Sequence, residues 1–190
     1  MIGLAWVLNV CFWAPFVVRG QIDKQQGSQQ KGPAAHADPW STAMVWAHGL
    51  GIGVSYTGLA VAVGGGELWP LPLAVRLLGV PIVLLSTWMI IRVMMVFRSW
   101  RLRAALTADH QLCTEGPFER VRHPIYTGMG LLTIATFLLV PTPLTLLGIA
   151  TNALTGDLRA RAEERLLLGV FRERYETYLR RTRRFIPGVY

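Results

Sequence analysis

The sequence predicts an all-α fold, an integral membrane helical bundle of about five transmembrane segments with a cytoplasmic C-terminal helix. Three observations predict it. Hydrophobic residues make up 52% of the chain and charged residues 16%, against ~25% charged in soluble domains. The apolar residues are gathered into runs of spanning length, and mean hydropathy is +0.38. The basic residues stand beside those runs and rarely within them.

The 190 residues are the size of one domain, read as two parts. Residues 1–100 hold three transmembrane segments, at about 1–18, 43–63 and 71–97. Arg19 stops the first. A secretory signal peptide would want a positive residue ahead of the apolar stretch and small residues at a cleavage point, and neither is present. Residues 19–42 are rich in Gln and Gly and read as a surface loop. The third segment carries Arg76 and Arg92 near its ends, where their stems can reach the interface. Pro81 either kinks that helix or sits in its first turns.

Residues 101–190 open on a polar, Arg-rich stretch that runs to about residue 127. Two apolar runs follow, 128–140 and 144–156, split by Pro141-Thr142-Pro143. Each is too short to cross ~30 Å upright, so the pair reads as a helical hairpin over 128–156. Its second helix continues beyond the membrane through Phe171 into a helical tail.

The net charge of +8 raises the question of a nucleic-acid partner, and its placement answers it. Nine of the nineteen Lys and Arg lie in Arg159–Arg184, five in Arg98–Arg122 and three in Arg19–Lys31. Threading five segments puts all seventeen on one face, which the positive-inside rule makes cytoplasmic. The N-terminus is then outside and the C-terminus inside. The expected partners are membrane lipids, anionic head groups included, and no nucleic acid. Cys11 and Cys113 form no CxxC and suggest no disulfide framework. No metal site is expected.

Two clusters could carry chemistry. In Gly116-Pro117-Phe118-Glu119-Arg120-Val121-Arg122-His123-Pro124-Ile125-Tyr126-Thr127-Gly128, the Gly-Pro pair makes a turn and Pro124 suits the first position of a helix. The free N–H groups at that helix start form an anion site beside Arg122 and His123. Gly128 and Gly130 allow a backbone or ligand to approach closely. The ordinary alternative is that His123 caps the helix, Arg122 meets lipid phosphate and the glycines pack helix on helix. In the second cluster, Arg159 and Glu163 are four residues apart on one helical face. The adjacent Glu163 and Glu164 need partners where the helix leaves the membrane. Leu166, Leu167, Val170 and Phe171 supply an apolar stripe that docks this helix on the bundle.

Together these clusters resemble the C-terminal half of the isoprenylcysteine carboxyl methyltransferase and phospholipid methyltransferase superfamily. The resemblance covers roughly residues 103–187. It rests on the Arg122–Gly128 run, the Arg159-to-Glu164 run, Phe171, Tyr175 and the closing Pro187. It implies S-adenosylmethionine as cofactor, with S-adenosylhomocysteine as product, held between the loop before the His-Pro helix and the Glu-Glu helix. Carried onto this sequence, the cofactor contacts fall on His110, Gln111, Leu112, Cys113, Phe118, His123, Pro124, Ile125, Tyr126 and Glu163. Arg159 falls beside the acceptor, and Glu164 is placed to act as a base. The chain departs from the family pattern twice: Phe118 stands where a Tyr is usual, and Arg172 where a Gly is usual. The implied substrate is a lipophilic small molecule or lipid, most simply a carboxylate or thiolate. A phospholipid amine, or a non-catalytic scaffold or ligand binder of the same fold, are the alternatives.

Overall fold

A computed structural model describes residues 1–25, 36–37, 39–65, 69–97, 105–106 and 112–190. Helices α1 (Ile2–Gln25), α2 (Pro39–Val63), α3 (Leu73–Leu77), α4 (Gly79–Val96), α5 (Pro124–Leu139), α6 (Pro143–Phe171) and α7 (Glu173–Arg181) make up the described fold. One two-residue antiparallel pairing joins β1 (His36–Ala37) to β2 (Ala105–Leu106). Among the described residues, three helices are long and apolar enough to cross a membrane: Ile2–Gln25, Thr42–Val63 and Leu73–Val96. The first three expected segments coincide with these helices, and the residues of the expected hairpin form α5 and the apolar first part of α6. At 16 residues, α5 rises about 24 Å, short of the ~30 Å hydrocarbon core.

The hairpin turn follows from its sequence. Thr142 accepts the Thr145 N–H on its hydroxyl at 3.1 Å, while the Thr145 hydroxyl accepts the Thr142 N–H at 3.0 Å. This is a reciprocal cap that satisfies two otherwise orphaned donors, with Pro143 in the first turn where no N–H is needed. At the same end of the hairpin, Arg76 donates Nε and Nη2 to the Leu139 carbonyl at 3.1 and 2.8 Å. Arg76 therefore caps the C-terminus of α5. Pro81 lies in the first turn of α4, and the break at Leu78 between α3 and α4 accommodates it.

The first helix continues seven residues past the expected stop. Arg19 does not end it, because its guanidinium is satisfied twice, by Asp23 one turn on (3.0 Å) and by the Met94 carbonyl at the end of α4 (3.1 Å). That contact sets the ends of α1 and α4 on one face. Residues 36–37 pair with residues 105–106, and the C-terminal tail pairs with residues 120–123.

Small residues decide how the spans pack. A Cβ on Gly148 of α6 would lie 1.8 Å from the Ser55 hydroxyl oxygen of α2, and one on Gly58 would lie 2.7 Å from the Thr145 nitrogen. The two backbones touch, which is how helices gain dispersion energy where lipid supplies no hydrophobic drive. Deeper in the bundle, Asn9 of α1 is 2% exposed. It donates to the Thr136 hydroxyl of α5 at 3.2 Å and accepts the Tyr56 hydroxyl of α2 at 3.0 Å, tying three helices by one side chain.

Candidate functional site

The site is built on the segment between α4 and α5. Gly116 adopts φ +60°, a conformation that suits glycine, and opens a 3-10 turn over Gly116–Glu119. Phe118 on that turn is buried, its ring set edge-on to Phe97 with centroids 5.3 Å apart. Its carbonyl accepts the Tyr178 hydroxyl of α7 at 2.6 Å. The chain then runs parallel to the tail: Arg122 N–H donates to the Arg183 carbonyl at 2.7 Å, and His123 N–H to the Arg184 carbonyl at 3.1 Å. Thr127 donates its hydroxyl to the Phe185 carbonyl at 2.9 Å. The tail thereby straps the start of α5, whose first residue is Pro124.

Seven charged or polar side chains converge at this strap. Glu164 is 8% exposed and takes Arg122 Nε on Oε1 at 2.9 Å, Arg184 Nη2 on Oε2 at 2.8 Å and Arg184 Nε on Oε1 at 3.1 Å. His123 Nε2 lies 3.3 Å from Glu164 Oε1, and its Nδ1 3.6 Å from Glu163 Oε2. Glu163 accepts Arg159 Nε on Oε1 at 3.2 Å and, on the same oxygen, the Tyr126 hydroxyl. The Tyr126 ring stacks on His123 (5.4 Å, 6°) and carries the Arg159 guanidinium 5.0 Å from its centroid. His123 stands at the N-cap of α5 but its side chain makes no cap hydrogen bond and lies between two carboxylates.

The electrostatics follow from that packing. Burial alone would push His123 down, but the two carboxylates of Glu163 and Glu164 beside its ring outweigh burial and raise it above the ordinary histidine value. Burial would push both carboxyls up. Instead His123 and Arg159 hold Glu163 below the usual carboxylate range. His123, Arg184 and Arg122 hold Glu164 well below it too. Of the two carboxylates Glu163 is the more open, with 24% of its side chain exposed against 11% for Glu164.

The residues singled out in the sequence divide into three groups. His123, Tyr126, Arg159, Glu163 and Glu164 meet in one cluster, with Pro124 beneath it. Leu112, Cys113, Phe118 and Ile125 instead pack with Phe97, Tyr175 and Tyr178 as an apolar wall, and the Cys113 thiol faces the Val96 carbonyl at 3.9 Å. His110 and Gln111 lie outside the described residues. A groove of about 550 Å³ opens beside the wall, lined by Leu112, Thr114 and Glu119 on one side and by α7 on the other. The groove adjoins the cluster through Thr182, which lines it and whose carbonyl accepts Arg122 Nη1 at 2.6 Å. The docking stripe of α6 is Leu167, Leu168 and Phe171, whereas Val170 stays 40% exposed. Gly128 is indeed a close approach, since a Cβ there would meet Ile90 Cδ1 at 2.9 Å, while Gly130 is not crowded. Arg172 keeps a turn that glycine favours, at φ +45°.

Three participants went unread in the sequence. Arg184 is one of four arginines in Arg180–Arg184, and only the tail's pairing with residues 120–123 selects it. Asp157 accepts Arg184 Nη1 at 3.0 Å and Arg161 Nε at 2.6 Å, extending the cluster along α6. His48 of α2 is 1% exposed, sets its ring 5.3 Å from that of Tyr126, and stands 3.5 Å from Asn152. A histidine inside an apolar span is itself a signal, and it points to this site. Among the described residues, no group of His, Cys, Asp and Glu is arranged to hold a metal ion.

No curated protein matches the chain. Residues 77–169 match the model of the isoprenylcysteine carboxyl methyltransferase (ICMT) family. The matched stretch contains Arg122, His123, Tyr126, Arg159, Glu163 and Glu164; His48 and Arg184 stand outside it.

Proposed function

On the premise that residues 77–169 belong to the isoprenylcysteine carboxyl methyltransferase family, we propose that the protein is an integral membrane methyltransferase. In this reading it uses S-adenosylmethionine to methylate a lipophilic carboxylate or thiolate. The observation that carries it is the pairing of Glu163 with Arg159, His123 and Tyr126 at the start of α5. The cofactor brings two cations and a carboxylate. Glu163, the more exposed carboxylate of the cluster, matches a cation. The N–H groups of Ile125 and Tyr126, ahead of the first full helical turn, match the cofactor's carboxylate. The residues fit the group.

When bound, the cofactor supplies an electrophilic methyl on sulfur. The chain's own work is to orient and to exclude water. Glu163 holds the cation and is itself fixed by Tyr126. Arg159, one turn nearer the membrane along α6, holds an anionic acceptor. The apolar wall of Leu112, Phe118 and Ile125 keeps the pocket dry, so proximity and desolvation carry much of the rate. An anionic acceptor needs no base. An amine acceptor does, and neither carboxylate is suited to be one: Glu164 is taken up by two guanidinia, and both carboxyls are held low. The geometry therefore favours an anionic acceptor, with Glu164 as the anchor of the tail in place of a base.

The charge-rich face is cytoplasmic in this reading, by the positive-inside rule, and the acceptor enters from the bilayer. The test is methyl transfer from a radiolabelled donor to extracted membrane lipids by purified protein in detergent. Base-labile label in the lipid phase is the expected result for an ester. Label that resists base and partitions with amine head groups would shift the reading to N-methylation.

A further inference from the structure

Arg159 is held by a carboxylate that the proposed function assigns to something else. Its Nε donates to Glu163 Oε1 at 3.2 Å, and the guanidinium rests 5.0 Å from the centre of the Tyr126 ring. The same Oε1 also takes the Tyr126 hydroxyl. The cation meant for an acceptor carboxylate and the carboxylate meant for a cofactor cation thus neutralise each other in the ligand-free protein. The neighbouring carboxylate offers Arg159 no substitute, because Arg122, Arg184 and His123 already surround Glu164.

We propose that the Arg159–Glu163 pair is an interlock that couples the two substrates: a cationic cofactor takes Glu163, and Arg159 is released to bind the anionic acceptor. The proposal rests on the methyltransferase reading and adds an order of binding to it. Three features make the exchange feasible. Glu163 is the exposed edge of the cluster, so an incoming cation reaches it first. Arg159 keeps the face of Tyr126 as a cation–π seat when it loses the carboxylate, so its release leaves no stranded charge. The Tyr126 ring that seats it also lies 5.3 Å from the ring of His48 in span α2, so the seat adjoins the apolar spans, where a lipophilic acid would present its carboxylate. Two ligands that compete for the two halves of one ion pair help each other, and linkage makes the help equal in both directions.

The interlock has a consequence opposite in sign to that of a simple contact. Removing Arg159 frees Glu163, so the cofactor should bind more tightly. The measurement is calorimetric titration of full-length protein in detergent with S-adenosylhomocysteine, and separately with a farnesyl thioether carboxylate as a non-reactive acid. In the wild type, saturating S-adenosylhomocysteine should tighten the acid by about 5- to 50-fold, with the same factor in reverse. In Arg159→Ala, S-adenosylhomocysteine should bind several-fold more tightly, and the acid should neither bind well nor respond to it. Arg159→Gln, which keeps most of the stem, replaces the alanine variant if that one does not fold. Wild-type protein that binds S-adenosylhomocysteine while either variant binds it equally or more weakly overturns the interlock and leaves the methyltransferase reading standing. Wild-type protein that binds no S-adenosylhomocysteine overturns both.

Discussion

Arg184 grips Glu164 with two nitrogens, Nη2 at 2.8 Å from Oε2 and Nε at 3.1 Å from Oε1. A residue of the tail is thus bound to the Glu-Glu helix across twenty positions of chain. The arrangement is a planar fork on a planar carboxylate, and lysine cannot reproduce it. With both side chains largely buried, breaking the pair leaves Glu164 short of a counter-ion. Arg184→Ala should therefore destabilise the protein by about 3 kcal/mol, and Arg184→Lys should recover only part. Thermal unfolding in detergent reads the order. Equal melting temperatures for wild type and Arg184→Ala would show that the tail is not held this way.

The same cluster sets a dependence on pH. His123 is raised by its two carboxylates. Its contribution to stability is full below the ordinary histidine value of ~6.5 and is lost as pH rises through the raised one. Glu164 is depressed; its contribution is present above the ordinary carboxylate value of ~4.3 and is lost as pH falls toward the depressed one. The melting temperature should fall as pH climbs above about 6.5, and His123→Gln should remove that slope. A slope that survives in the variant assigns it to another group.

Arg172 joins α6 to α7 at φ +45° and ψ −121°, a region in which a side chain is strained and glycine is not. The turn is kept because Tyr178 must reach the Phe118 carbonyl and Tyr175 must fill the apolar wall. Arg172→Gly should stabilise the protein by about 1 kcal/mol, read as a higher melting temperature with unchanged ligand binding. Destabilisation would mean that the arginine side chain contributes more than its backbone costs.

The seam between α2 and α6 should tolerate no added methyl group. Gly148→Ala drives a Cβ into Ser55 and should cost about 1–3 kcal/mol. Gly49→Ala, with nothing within 4 Å, should be neutral or slightly stabilising. Comparable behaviour of the two variants would contradict the close packing of this pair.

How much of this was legible in the sequence depends on how local each cause is. The hairpin at Pro141-Thr142-Pro143 and the helix start at Pro124 are set by neighbours in the chain, and both lie where the residues put them. The end of α1 was misplaced because Arg19 is satisfied by Met94, 75 positions away. The cluster itself could be read through Arg159, Glu163 and Glu164, whose spacing on a helix fixes their faces. Which tail arginine completes it could not, since Arg180, Arg181, Arg183 and Arg184 differ only in a register set by the pairing with residues 120–123. His48 was readable and was passed over: a histidine and a row of small residues, Gly51, Ser55 and Gly58, mark one face of span two.

The central claim is that the carboxylate of Glu163 receives the cationic end of S-adenosylmethionine. Titrating purified wild type and Glu163→Gln with S-adenosylhomocysteine, at a pH near 7 and with melting temperatures recorded for both, tests it most directly. Loss of a charge-assisted hydrogen bond of about 1.5–3 kcal/mol predicts that the variant binds at least about tenfold more weakly while remaining folded. Equal affinity in a folded variant would contradict the account and leave Glu163 with no role beyond holding Arg159 and His123 in place.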